Sequence, residues 1–156
     1  MHIRLIAVGE RQPSWVASAF DNYAARLPRQ WRFRLHNLPT ARRGKGTNAA
    51  AAIDSEGRKI LELLKPADFV VLLDERGKQL SSGALSAQLQ DWLAAGRDLI
   101  FVIGGPDGVS GACRQRADYR WALSKLTLPH GLARVLVIEQ LYRAWSIGAG
   151  HPYHRE

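Results

Sequence analysis

The chain is 156 residues long, 46% hydrophobic and 23% charged, and its 22 basic against 14 acidic side chains leave a net charge of +8. That length fits one domain burying about two thirds of its unfolded surface, and the composition excludes a disordered chain. The basic excess points to a polyanionic partner, nucleic acid ahead of an anionic cofactor or an acidic membrane.

A single cysteine, Cys113, excludes an internal disulfide and a multi-cysteine zinc site. The start, MHIRLIAVGE, reads as neither a signal peptide nor a membrane span. No stretch approaches the roughly 18 consecutive apolar residues of a spanning helix. The expectation is a soluble protein of the cytoplasm with no membrane partner.

Ile3 to Val8 predicts a short strand inside a sheet, ending at Gly9. Pro13-Ser14 opens a helix whose Val16, Phe20, Tyr23 and Leu27 share one face, and Pro28 stops it. Trp31, Phe33 and Leu35 alternate with Arg32, Arg34 and His36, the pattern of a strand near a sheet edge. Residues 39–48, PTARRGKGTN, read as a flexible loop. Arg42, Arg43 and Lys45 have no acidic neighbour in sequence and are candidate phosphate contacts, against the alternative of a solvated loop. The GKGT within it lacks the spacing of a phosphate-binding P-loop.

Thr47 or Asn48 then caps a helix with Ile53, Gly57, Ile60 or Leu61, and Leu64 on its buried side. Gly57 in mid-helix predicts a close packing contact. Phe69 to Leu73 predicts a central parallel strand followed by a loop, Asp74 to Lys78. Ser81 or Ser82 caps the next helix, which turns Leu85, Leu89, Trp92 and Leu93 to the sheet before Gly96 ends it. Leu99 to Ile103 is a second buried strand, and Trp121 to Leu123 a third short one. Alternating strands and helices argue for an α/β fold with a mostly parallel sheet flanked by helices. The longest helix, Leu132 to about Ile147, is apolar on more than one side. That predicts burial between the sheet and another surface, for which a second subunit is one candidate. Glu139 and Arg143 are spaced to pair on it.

Three strand ends compete for a ligand: Leu73-Asp74, Gly104-Gly105 and Leu123 to Leu128. Loops at the carboxyl edge of a parallel sheet form ligand crevices, and these would suit a flat heterocycle. No metal-ligand spacing occurs. GVSGA around Ser110 is not a nucleophile elbow, and no dinucleotide fingerprint follows the first strand. His130, His151 and His154 are possible bases. With no evident nucleophile, the pattern fits group transfer by positioning.

The motifs LIAVG at 5–9, RGKG at 43–46, LD at 73–74, GRD at 96–98, IGGPDG at 103–108 and LSKLTLPH at 123–130 occur in one order. RVLVIEQLYRAWSI at 134–147 and HPYHRE at 151–156 complete the set. Together they resemble the SPOUT methyltransferase family, in its branch of small ribosomal RNA pseudouridine N3-methyltransferases, almost end to end.

The resemblance implies a single SPOUT methyltransferase domain over residues 1–156, a C-terminal trefoil knot, a homodimer and S-adenosyl-L-methionine as cofactor. It implies action on pseudouridine 1915 in helix 69 of 23S ribosomal RNA within assembled ribosomes. By motif, Leu73, Gly104, Leu123, Ser124, Lys125, Leu126, Thr127 and Leu128 carry over as cofactor residues, with Gly105 and His130 flanking them. Tyr153, His154 and Arg155 carry over as the catalytic tail, closing over cofactor and target nucleotide. Loss of the N3 proton leaves His154 as base, Arg155 as stabiliser of the anion, or a tail that only positions the base while water takes the proton. Gly131 stands where the family has proline, and Gly148-Ala149-Gly150 is a more flexible linker than usual. A non-catalytic ribosome-assembly factor of the same fold and a transfer RNA methyltransferase are the competing readings.

Overall fold

In the computed structural model, residues 1–9, 11–44 and 48–154 are described. The elements are β1 (Ile3–Val8), α1 (Ser14–Ala24), a 3-10 turn (Arg29–Trp31), β2 (Arg34–Leu38), α2 (Ala49–Glu62) and β3 (Phe69–Gln79). They continue with α3 (Ser82–Ala94), β4 (Leu99–Ile103), α4 (Gly111–Arg116), β5 (Tyr119–Ala122) and α5 (His130–Ala149). The strands form one five-stranded sheet in the order β2-β1-β4-β3-β5, with every pairing parallel.

Successive side chains of a strand face opposite ways, so β1, β3 and β4 supply two cores. Ile3, Leu5, Ala7, Val71, Leu99, Phe101 and Ile103 pack with α1, α3 and α5. Ile6, Val8, Val70, Leu72, Ile100 and Val102 pack with Ile60 of α2 and Cys113 of α4. β4 is buried at all five positions, which explains its continuous apolar run. β2 pairs on one side only and is half exposed, as its alternating pattern predicts.

Several boundaries differ from the sequence reading, each for a local reason. Trp31 is buried but lies in the 3-10 turn after Pro28; Arg32 then takes a left-handed conformation with φ 48°, so the strand begins only at Arg34. The expected loop Asp74 to Lys78 belongs to β3. Both Leu73 and Lys78 align with Trp121, so a register shift lets one strand continue past the irregularity. α4 follows Ser110, whose hydroxyl accepts from the Cys113 amide at 3.2 Å; its single turn and a half carries no periodicity long enough to read. α2 is capped by Asn48, which accepts from the Ala51 amide at 2.8 Å, and it ends at Glu62, leaving Leu64 outside. Its buried face includes Gly57 and Ile60 as expected, but Ala52 and Glu56 complete it where Ile53 was expected.

The close contact predicted at Gly57 is present. A Cβ there would lie 2.9 Å from the Ser110 Cβ, so α2 and the start of α4 approach each other only because that position has no side chain. The Gly57 carbonyl also accepts a weak bond from the Cys113 thiol.

Gly57→Leu should lower stability by about 1–3 kcal/mol through overpacking. Gly83→Ala, with open space around the position, should raise it by about 0.5 kcal/mol. Urea unfolding of both variants tests the contrast; equal stabilities would contradict the assigned α2–α4 contact.

Candidate active site

Because all strands run the same way, Val8, Leu38, Ile103 and Ala122 end at one edge, and β3 passes Leu73 there. β1 and β4 are neighbours, yet α1 and α4, which follow them, lie on opposite faces of the sheet. Their loops must part, and a crevice opens where they do.

A cavity of about 310 Å³ lies on the β3–β5 side of the β4 loop. Its walls are largely apolar, with Leu73, Ile103, Leu123, Leu126 and Leu128 among them, and Gly104, Gly105 and Gly108 bring backbone to its surface. Of the ten cofactor residues expected from sequence, nine line this one cavity: Leu73, Gly104, Gly105, Leu123, Ser124, Leu126, Thr127, Leu128 and His130. Lys125 does not; it is exposed on the outside of the same loop. Gly104 is required by packing, since a Cβ would meet the Gly108 carbonyl oxygen at 3.0 Å. The loop is shaped by Ser124, whose hydroxyl accepts from the Leu126 amide at 2.9 Å, while the Leu126 side chain stays 73% exposed.

Asp74, expected at one of the competing strand ends but given no site role there, lines the cavity beside Glu75. Its side chain is 6% exposed; Oδ1 accepts from the Arg76 amide at 3.0 Å, whereas Oδ2 makes no hydrogen bond among the described residues. Arg114 and Arg120 approach Oδ2 only at 3.7 and 4.0 Å. A buried carboxylate oxygen without a donor is ready for a ligand N–H. The signal was its place directly after an apolar strand.

His130, the first residue of α5, stands at the inner end of the cavity. Arg134, one turn later and 2% exposed, directs Nε toward His130 Nδ1 at 3.4 Å, Nη1 to Asn37 Oδ1 at 2.5 Å and Nη2 to the Gly9 carbonyl. An arginine Nε–H only donates, so Nδ1 accepts and the imidazole proton sits on Nε2. That atom is buried and, among the described residues, makes no hydrogen bond of full geometry, with the Gly104 carbonyl as a looser acceptor. Burial, reinforced by Arg134, lowers the His130 pKa, and the Gly104 carbonyl offsets this only in part. The ring is neutral at pH 7.

The basic loop is less free than its sequence implied. Arg43 pairs with Glu56 through Nη1 at 2.9 Å and with Asp107 through Nε at 2.6 Å, and these bonds raise its pKa. Glu56 is buried and also accepts from the Ala41 amide at 2.9 Å. Arg43 is thus not the unbalanced cation that its neighbours in sequence suggested. Arg42 is exposed, and Lys45 lies outside the described residues.

The tail is placed elsewhere. Tyr153 donates its hydroxyl to Glu139 at 2.9 Å, packs its ring against Tyr142 at 4.6 Å with a 54° tilt, and lies under the Arg143 guanidinium at 5.0 Å. Desolvation first, then its bonds to Tyr23 and Glu139, raises its pKa, so the phenol keeps its proton. His154 Nδ1 is 3.5 Å from Ser146 Oγ. Neither residue lines the cavity. Arg155 lies outside the described residues.

Among the described residues no group of acidic, histidine and cysteine side chains could hold a metal ion, and no helix is long and apolar enough to cross a membrane. A parallel sheet with a glycine-walled, largely apolar crevice at its carboxyl edge is an arrangement for holding a ligand and positioning a transfer, and comparison with known sequences specifies which. The chain belongs to the SPOUT methyltransferases: the family described as "Predicted SPOUT methyltransferase" matches residues 1–154.

Among its relatives are proteins named ribosomal RNA large subunit methyltransferase H. The one from Thioalkalivibrio sulfidiphilus is 50% identical over the whole of both chains, and that from Alkalilimnicola ehrlichii 51% over 99% of each. Similar solved structures share the fold at low identity. A probable methylase family protein from Haemophilus influenzae superposes with TM-score 0.56 at 12% identity, over 99% of this chain and 70% of the other. A tRNA (m1G37) methyltransferase from Aquifex aeolicus gives 0.55 at 15%, over 92% and 70%.

His130 makes acid stability testable. Its native pKa lies below the ordinary 6.5, so the unfolded chain binds more protons near that pH and stability falls as the medium is acidified. His36, lowered by burial and then by Arg4 and Arg34, acts in the same direction. Denaturant unfolding from about pH 8 to 5 should show a smaller acid loss for His130→Gln than for the wild type. Parallel curves would contradict the assigned burial.

Proposed function

We propose that this chain transfers the methyl group of S-adenosyl-L-methionine to N3 of pseudouridine 1915 in helix 69 of 23S ribosomal RNA, on assembled ribosomes. The observation that carries the reading is full-length identity of 43–51% to relatives named for large-subunit ribosomal RNA methylation.

The β3–β5 cavity fits the cofactor. Apolar walls from Leu73, Leu123, Leu126 and Leu128 suit an adenine ring, exposed backbone near Gly104 and Gly105 supplies hydrogen bonds, and unfilled Asp74 Oδ2 suits an amine. When bound, S-adenosyl-L-methionine supplies an electrophilic methyl group on a sulfonium. The protein's part is to hold the acceptor nitrogen in line, exclude water and stabilise the anion left when N3 loses its proton. Ser124 and Thr127 give the loop polar contacts, and Lys125 points a cation outward toward RNA.

Tyr153, His154 and Arg155 are assigned to the target nucleotide, which requires the tail to leave its seat on α5 or to serve another copy. A homodimer in the cytoplasm is part of this reading, with the second copy completing the RNA-facing surface. The single domain over residues 1–156, with its trefoil threading near the carboxyl terminus, belongs to it too. Arg42 and Lys45 carry the phosphate contacts, while Arg43 anchors their loop through Glu56.

Transfer of a labelled methyl group to 70S ribosomes, 50S subunits and free 23S RNA, followed by mapping of the modified nucleotide, tests the reading. Label at the helix 69 pseudouridine in ribosomal particles is expected; label only on transfer RNA, or none, would overturn it. Replacing Arg42 and Lys45 with alanine should weaken ribosome binding and reduce the salt slope by about 1 per lost phosphate contact. An unchanged slope across a salt titration would remove both residues from the RNA surface.

A further inference from the structure

A second cavity, of about 420 Å³, opens on the opposite side of the β4 loop. It is lined by Val8, Gly9, Arg11, Gln12, Pro39 and Thr40 from the ends of β1 and β2, together with Pro106 and His130. Those last two also line the cofactor-sized cavity, so the two spaces share one wall. Its volume lies within the roughly 300–1,000 Å³ of small-molecule sites.

The two cavities differ in charge. The β3–β5 cavity carries two carboxylates, Asp74 and Glu75, against Arg114. That balance suits a ligand bearing a sulfonium and an ammonium. The β1–β2 cavity has no carboxylate among its described lining residues and holds Arg11 at its rim. Arg134 lies directly behind it, donating to the Gly9 carbonyl and to His130, both parts of the wall. Buried Arg134 is met by neutral acceptors among the described residues, so its charge projects into the neighbouring space. A site of that kind favours phosphate at the rim and an anionic base inside.

We infer that the β1–β2 cavity receives the acceptor nucleobase, a uracil-like ring with its phosphate on Arg11, presented across the Pro106–His130 wall to the methyl donor. This rests on the methyltransferase reading and adds to it the location of the acceptor. The N3–carbon bond forms as the carbon–sulfur bond breaks; the sulfonium becomes a thioether and the N3 proton passes to water. His130, held by Arg134 at Nδ1, lies in the shared wall, beside the negative charge that spreads to the carbonyl oxygens next to N3.

The experiment titrates pseudouridine 5′-monophosphate into isotopically labelled protein with S-adenosylhomocysteine present, following backbone amide resonances. Shifts are expected at Gly9, Gln12 and Thr40. Thr40→Trp, which fills the cavity from an exposed position, should abolish them while leaving S-adenosylhomocysteine affinity unchanged. Arg11→Glu, also at an exposed position, should weaken nucleotide binding by roughly tenfold, the scale of one charged hydrogen bond. Methyl transfer to ribosomal particles should fall in both variants. Nucleotide shifts mapping elsewhere, or both variants binding and methylating like the wild type, would overturn the acceptor site. If the wild type bound the nucleotide at Gly9, Gln12 and Thr40 yet transferred no methyl to ribosomal particles, the ribosomal reading would fall and the acceptor site would stand.

Discussion

The parallel direction of all five strands is the constraint on which the rest depends. It gathers every strand end at one edge and sends each return helix across a face of the sheet. β4, buried throughout, sits at the centre of that edge, between β1 and β3. Its loop therefore has a cavity on either side, and Pro106 belongs to both. A reaction between two bound molecules needs two adjoining spaces with a thin wall, and this sheet order places two cavities in that relation. Chemistry of this kind asks the protein for placement more than for a nucleophile.

Charge is arranged around the same loop. Glu56 is buried on α2, and an isolated carboxylate there would be costly, so Arg43 and the Ala41 amide meet it. Arg43 also holds Asp107, at the tip of the β4 loop. One guanidinium thus ties the basic segment to the loop between the cavities, and any shift of that segment is felt at Pro106. Removing Arg43 would leave Glu56 without its charge partner, an effect on structure that precedes any effect on RNA. This is why a test of the proposed phosphate contacts replaces Arg42 and Lys45 and leaves Arg43 in place.

The legible part of the fold was the part set by local chemistry. Apolar runs marked β1 and β4, Ser81 and Asn48 cap as their side chains allow, and Gly57 announced a contact that α4 supplies. What stayed hidden depends on partners far along the chain. The extension of β3 through Asp74 to Gln79 exists because β5 shifts register against it. The pairing of Arg43 with Glu56 and Asp107 spans 13 and 64 residues, and no neighbouring acid in sequence could reveal it. The loop at 123–128, most of which lines one cavity, was readable because its residues are contiguous. The second cavity, assembled from residues 8, 9, 11, 12, 39, 40, 106 and 130, was not.

The apolar breadth of α5 shows how one signal can have two sources. The sequence reading offered a second subunit as one surface to cover it. Within this chain α5 already packs on α1 and α3 as well as the sheet, burying Val137, Ile138, Leu141, Tyr142 and Ala144. The tail covers more, with Tyr153 seated against Tyr142 and bonded to Glu139. Breadth of apolar surface is therefore accounted for largely inside one chain, and it carries little weight for a dimer. The seat of Tyr153 is the sharper constraint. At 1.5 Å per residue, Glu139 lies about 9 Å along α5 from Ala133, the last α5 residue lining the cavity, farther than a tyrosine side chain spans. With its hydroxyl on Glu139, Tyr153 does not at the same time touch the cavity of its own chain. Any role for Tyr153 and His154 at the reacting base therefore begins with breaking the Tyr153–Glu139 bond, or belongs to the cavity of another copy.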